Sequence, residues 1–286
     1  MLLILVLTLS TLTAVGVTLQ TCLMQGLGAI WVLPVSFLGA FLAQAAVIFL
    51  VIWISCTLVK NKPAPEKESK YFRFLIQQIC FAAIPILMIR VHKKGLEQIP
   101  KSGRFLLVCN HLHNVDPAFI LRSFPRKGIA FIAKREAGKM FLIGAILKQL
   151  RCQLINREND REALKTILQS IKMIKEDEAS IAVFPEGRIT GDDLMHPFRS
   201  GVFKIALKTQ VPIVVCTLYG TQNVLKSAMR LKPSDVDFHL VKVIYPAEYE
   251  GMTATEVGNV VYELMAQDLG PDKVWQKPEN MEEETE

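Results

Sequence analysis

No Asp, Glu, Lys or Arg occurs before Lys60 in this chain of 286 residues. A soluble domain needs a charged surface, so an uncharged stretch of that length is suited to a non-aqueous surrounding. Residues 2–19 approach the roughly 20 apolar positions that carry a helix across a bilayer, and residues 29–59 exceed them. The natural count is two membrane helices joined by a turn over 20–28. Pro34 and Gly39 predict a ragged start or a bend in the second. A cleaved signal peptide is the alternative for the first segment, which lacks the basic start such peptides carry, and a buried soluble helix is the alternative for the second.

Charge then returns with one sign. Between residues 60 and 104, ten Lys or Arg stand against three Glu. The positive-inside rule places such a segment in the cytoplasm, and two spans then place the N-terminus there too. The expectation is a cell or intracellular membrane with the part of the chain after this segment cytoplasmic. The net charge of +6 suits attraction to anionic membrane lipids. Nucleic acid is not an expected partner, because no recognition motif accompanies the charge. Residues 61–68 form a Pro- and charge-rich connector. Residues 74–89 are apolar but short, broken by Gln77, Gln78 and Pro85 and flanked by basic side chains, which fits a helix lying in the interface better than a third span. The cysteines at 22, 56, 80, 109, 152 and 216 show no CxxC and no histidine spacing suited to zinc, so neither disulfide, metal nor other cofactor is expected.

From Val91 onward apolar runs alternate with amphipathic ones. Residues 105–109, 129–133, 152–155, 180–184, 213–218 and 238–244 read as strands. Residues 135–150, 161–175, 201–209 and 253–269 read as helices, the last capped by Thr253. The expected fold is α/β, a mixed central β-sheet flanked by helices, preceded by an N-terminal two-helix membrane hairpin and an interfacial helix. The expected division is hairpin 1–60, connector and interfacial helix 61–95, catalytic domain 96–271 and acidic tail 272–286.

Two strand ends carry chemistry. The run 105–109 leads into Asn110-His111-Leu112-His113-Asn114-Val115-Asp116-Pro117, at the carboxyl edge where open α/β sheets build their sites. On a helix His111 and Asp116 would diverge, but a turn before Pro117 can join them as a base oriented by a carboxylate, waiting for a hydroxyl carried by the substrate. The same residues also suit a helix N-cap beside a structural histidine, and from the residues alone both readings stand. The run 180–184 ends in Pro185-Glu186-Gly187-Arg188, where a proline and a glycine fix a carboxylate in a tight turn.

These motifs resemble those of the membrane-bound glycerolipid acyltransferases, in particular the 1-acylglycerol-3-phosphate (lysophosphatidic acid) acyltransferase family. The likeness runs over about 91–244. Asn110, His111 and Asp116 match NHxSxxD, with His113 where serine is usual. Leu154-Ile155-Asn156-Arg157 matches the second motif. Phe184-Pro185-Glu186-Gly187-Arg188-Ile189-Thr190 matches the third, its arginine one place early as in the branch that reacylates lysophospholipids. Val211-Pro212-Ile213-Val214-Val215-Cys216 matches the fourth. The resemblance implies acyl transfer from acyl-CoA or acyl-carrier protein to the free hydroxyl of a lysophospholipid, giving phosphatidic acid when the acceptor is 1-acylglycerol-3-phosphate. It implies His111 as base and Asp116 as its partner. Arg157, Arg188 and Lys134 become phosphate ligands, with Glu186 and Gly187 shaping the binding loop. Acylation of another lysophospholipid, such as lysophosphatidylethanolamine, and hydrolysis of an acyl thioester are the alternatives.

Overall fold

The computed structural model describes residues 2–125, 127–156 and 159–276. Helix α1 (Leu2–Gln25) and helix α2 (Val32–Lys60) form an antiparallel pair joined by a 3-10 turn. The polar contacts show the direction: Gln44 Nε2 donates to Ser10 Oγ at 2.9 Å, and Ser36 Oγ to Ala14 O at 3.5 Å. Val6, Ser10, Ala14 and Thr18, each four residues on, are the buried seam of α1. Small residues at that spacing let two backbones approach closely. The expected turn over 20–28 is shorter than the sequence suggested. Helix α1 continues through Gln25, and the chain reverses at Gly26, whose φ of 82° only glycine adopts readily. Pro34 lies in the first turn of α2, where its missing N–H is not needed, and Gly39 does not interrupt the helix. Both helices are long and apolar enough to cross a membrane.

Helix α3 (Lys70–Ile86) begins before the apolar run, at the Ser69 cap, and buries Phe72, Arg73, Leu75 and Cys80 against the domain. Strand β1 (Ile89–Lys94) follows, a strand the sequence reading missed. Its charges looked like a boundary, but they lie on a sheet edge, where lysines discourage further pairing.

The remaining elements alternate: β2 (Leu106–Cys109), α4 (Asp116–Ser123), β3 (Ile129–Lys134), α5 (Phe141–Gln149), β4 (Gln153–Ile155), α6 (Asp160–Lys175), β5 (Ser180–Val183), α7 (Lys204–Thr209), β6 (Ile213–Tyr219), α8 (Val224–Met229), β7 (Ser234–Ile244) and α9 (Ala254–Leu269). The expected helix over 135–150 is split into a 3-10 turn (Arg135–Lys139) and α5. The break lets Gly144 pack on Gly138, where a Cβ would meet the Gly138 carbonyl oxygen. The expected helix over 201–209 likewise opens as a 3-10 turn, Ser200–Phe203, before α7. Thr253 and Glu256 form a capping box on α9. Residues 272–275, assigned to the tail from sequence, return to the domain: Val274 bridges Met195 and Trp275 N donates to Met195 O at 2.9 Å. Residues 277–286 lie outside the described residues.

Among the described residues the strands form one mixed sheet in the order β1-β7-β6-β2-β5-β3-β4, parallel except for the β6–β7 pair. Strand β7 starts four residues before the expected 238 because its first half pairs with the unexpected β1. In the centre, Phe105, Leu107 and Cys109 enter a core shared with α3, α4 and α5, while Leu106 and Val108 enter a second core shared with α6, α7 and α9. All five are fully buried, which is why this strand reads as a continuous apolar run and not as an alternation.

Candidate active site

The carboxyl ends of the neighbouring strands β2 and β5 open onto one edge of the sheet, and the loops leaving them touch. Asn110 is fully buried beyond the last residue of β2. Its amide donates to Leu218 O at 2.8 Å and accepts from Leu218 N at 2.8 Å, stapling the ends of β2 and β6 together. The next residues turn sharply, Asp116 N donating to His113 O at 3.0 Å.

Asp116, fully buried, is the first residue of α4. Val115 is the cap, with no side-chain cap bond, so the Asp116 carboxylate does not cap the helix and folds back into the turn. Its Oδ2 meets His111 Nδ1 at 2.8 Å and accepts from Leu112 N at 2.8 Å and His113 N at 2.9 Å. This arrangement assigns the proton to Nδ1 and leaves the Nε2 lone pair of His111 outward. The imidazole lies flat on Phe184, with centroids 4.1 Å apart, which fixes the ring plane.

Glu186 joins the two loops. It is 5% exposed. Its Oε1 accepts from His111 N at 2.7 Å and its Oε2 from His196 N at 2.9 Å. Burial pushes its carboxyl up to about 7 against the opposing effect of those backbone donors. Gly187, at φ 79°, makes the turn, and its N–H donates to Phe184 O at 3.1 Å.

The structure thus brings His111, Asp116, Glu186 and Gly187 together. Lys134 ends β3, with β5 between it and β2, and its exposed amine lies 3.8 Å from Glu136. Arg188 is exposed and makes no hydrogen bond or ion pair among the described residues. Arg157 lies outside the described residues. The run 211–216 is structural, supplying Pro212 O to Leu106 N at 3.0 Å and most of β6. A base fixed by a carboxylate, open on its other nitrogen, can take a proton from a hydroxyl.

The family model described as Acyltransferase matches residues 90–219, from β1 to the end of β6, and so spans both loops. Over that span the chain is similar to the acyltransferase family. The "Probable 1-acyl-sn-glycerol-3-phosphate acyltransferase" of Mycoplasma pneumoniae is 27% identical over 223 residues, covering 74% of this chain and 81% of its own. The 1-acyl-sn-glycerol-3-phosphate acyltransferase of Borreliella burgdorferi is 28% identical over 190 residues, covering 64% and 75%. The crystal structure of the 1-acyl-sn-glycerophosphate (LPA) acyltransferase PlsC from Thermotoga maritima shares the fold, with a TM-score of 0.59 at 22% identity over 80% of this chain and 98% of that one.

Two residues beside these loops escaped sequence reasoning. His196 stacks on Trp275 and meets Asp192 at 2.7 Å. Burial alone would raise the Asp192 carboxyl, but hydrogen bonds from Thr190, His196 and Leu194 N outweigh it and hold the group below the usual carboxylate range. The four-residue spacing of Asp192 and His196 was the available signal, but only the fold ties it to Glu186.

Proposed function

We propose that the protein is a membrane-bound 1-acylglycerol-3-phosphate acyltransferase, moving an acyl group from a thioester to the free hydroxyl of that lipid to give phosphatidic acid and a free thiol. The observation that supports this best is the 2.8 Å contact between His111 Nδ1 and Asp116 Oδ2, with Nε2 free of partners among the described residues. Nε2 takes the acceptor's hydroxyl proton while that oxygen attacks the thioester carbonyl. The tetrahedral intermediate collapses, the C–S bond breaks, and the imidazolium returns the proton to the departing thiolate. Asp116 holds the tautomer and stabilises the imidazolium. A group of this kind contributes about 10² to 10⁴-fold, and the acceptor's placement must supply much of the rest. Arg188 and Arg157 grip the acceptor's phosphate in forked geometry, with Lys134 as a point charge. Helices α1 and α2 hold the domain at a cytoplasm-facing bilayer, where the lipid already resides, and the basic segment meets anionic lipids.

The position of Arg188 directly after Gly187 favours a second reading, acylation of another lysophospholipid such as lysophosphatidylethanolamine. The test is bilayer-reconstituted wild type and His111→Ala, assayed with acyl-CoA and acyl-carrier protein against both lysolipids and against no acceptor. Transfer to lysophosphatidic acid, abolished by His111→Ala, is the expected result. Transfer to the other lipid alone would select the second reading, fatty acid released without an acceptor would mark a hydrolase, and full activity of His111→Ala would remove the dyad from the mechanism.

A further inference from the structure

The sheet separates two sides of the molecule. Residues of α2 and α3 pack into the same core as α4 and α5, whereas α6, α7 and α9 cover the opposite face. The ring of His111 rests on Phe184, on the first side. On the second side, beside the loop that carries His196, a cleft of about 400 Å³ runs along the start of α9, its walls including Phe198, Ser200, Thr255, Asn259, Tyr262 and Trp275. The rings of Phe198 and Tyr262 meet edge to face at 5.0 Å. Trp275 is stacked 5.6 Å from His196 and is held in place by backbone bonds between the C-terminal strap and Met195.

Glu186 connects this cleft to the catalytic loop, since the carboxylate that accepts from His111 N also accepts from His196 N. The Tyr262 hydroxyl is pushed up by burial and then by the Glu186 charge, which puts Tyr262 within electrostatic reach of the same carboxylate.

We propose that this cleft holds the adenine nucleotide end of an acyl-CoA donor, an inference that rests on the acyl-transfer reading above. A lipid acceptor arrives from the side that carries the apolar helices, so the water-soluble end of the donor is left the other side. Aromatic walls stack any purine face. Ser200, Thr255 and Asn259 offer partners to ring nitrogens and ribose hydroxyls. Arg199, exposed between two lining residues, supplies positive charge for the phosphates. The pantetheine arm then passes His196 to bring the thioester to His111.

The experiment compares palmitoyl-CoA with palmitoyl-S-pantetheine, which keeps the thioester and the arm and lacks the nucleotide, on full-length reconstituted wild type, Trp275→Ala, Tyr262→Ala and Trp275→Phe. Loss of one stacking wall is expected to raise KM for palmitoyl-CoA about tenfold. KM for palmitoyl-S-pantetheine and kcat for both donors should hold, and Trp275→Phe should restore most of the loss. Unchanged activity with the short donor also shows that the variants fold. Separately, adenosine 3′,5′-bisphosphate should change Trp275 fluorescence in wild type, in the absence of any acceptor.

Equal KM increases for both donors, no increase for palmitoyl-CoA, or no fluorescence response would overturn the assignment. Wild-type activity with acyl-carrier protein and none with acyl-CoA would overturn it while leaving acyl transfer standing. Absence of transfer from every donor would instead sink the proposed function.

Discussion

Replacing Asp116 by Asn tests the dyad at the point where three donors converge on a single oxygen. Oδ2 serves His111 Nδ1, Leu112 N and His113 N at 2.8–2.9 Å, while Oδ1, also buried, has no partner among the described residues. A hydrogen bond to a charged group is worth about 1.5–3 kcal/mol against roughly 1 kcal/mol for a neutral one. An amide oxygen in the same rotamer therefore gives up on the order of 2–4 kcal/mol across the three. The opposite rotamer turns an NH2 toward three N–H groups and loses more. The turn loosens, and the imidazolium formed during proton transfer loses its counter-charge. With general-base help of about 10² to 10⁴-fold at stake, kcat should fall roughly 10³-fold with a much smaller change in acceptor KM. Thiol release from the donor measures the rate, and circular dichroism melting separates chemistry from unfolding. A kcat within about threefold of wild type, in a variant that melts normally, would refute the reasoning.

Glu186→Gln tests the raised carboxyl. Its unfolded value is the ordinary 4.5 and its folded value about 7, so between those pH values the folded state holds the extra proton and wild-type stability falls as pH rises, by up to roughly 3 kcal/mol. Melting temperature against pH should show that decline in wild type and a flatter profile in Glu186→Gln; parallel profiles would exclude the carboxyl as its source. Asn110→Ala leaves both the N–H and the C=O of Leu218 without their buried partner and should cost about 2–4 kcal/mol in denaturant melts, whereas a change under about 0.5 kcal/mol would remove the staple. Lys148 Nζ donates to Val59 O, Lys60 O and Lys62 O, each at 2.7 Å. Lys148→Met uncaps the end of α2 and should speed proteolysis of the 61–68 connector several-fold; an unchanged cleavage rate would show that this anchor is dispensable.

What could be read from the residues was whatever local chemistry alone dictates. Strand β2 was visible because a strand buried on both faces is apolar throughout, and α9 because Thr253 and Glu256 announce its start. His111, Asp116 and Glu186 stood out because each follows such a strand beside a proline or glycine that shapes a turn. Strand β1 stayed hidden because its sequence is that of a solvated edge, and it becomes a strand only through pairing with the first half of β7.

The uncharged residues before Lys60 were enough to imply apolar helices, and the His-to-Asp spacing left a base and a structural histidine both open until the motif resemblance favoured the base. Which nitrogen of His111 faces outward, that Asp116 turns away from capping its helix, that Asn110 ties β2 to β6, and that one Glu186 carboxylate serves both His111 and His196 were decided by tertiary structure. The partners in these contacts lie as far as 108 residues apart. Local propensity has no term for a hydrogen bond between them, because that bond exists only once strand order and register bring the two backbones within 3 Å.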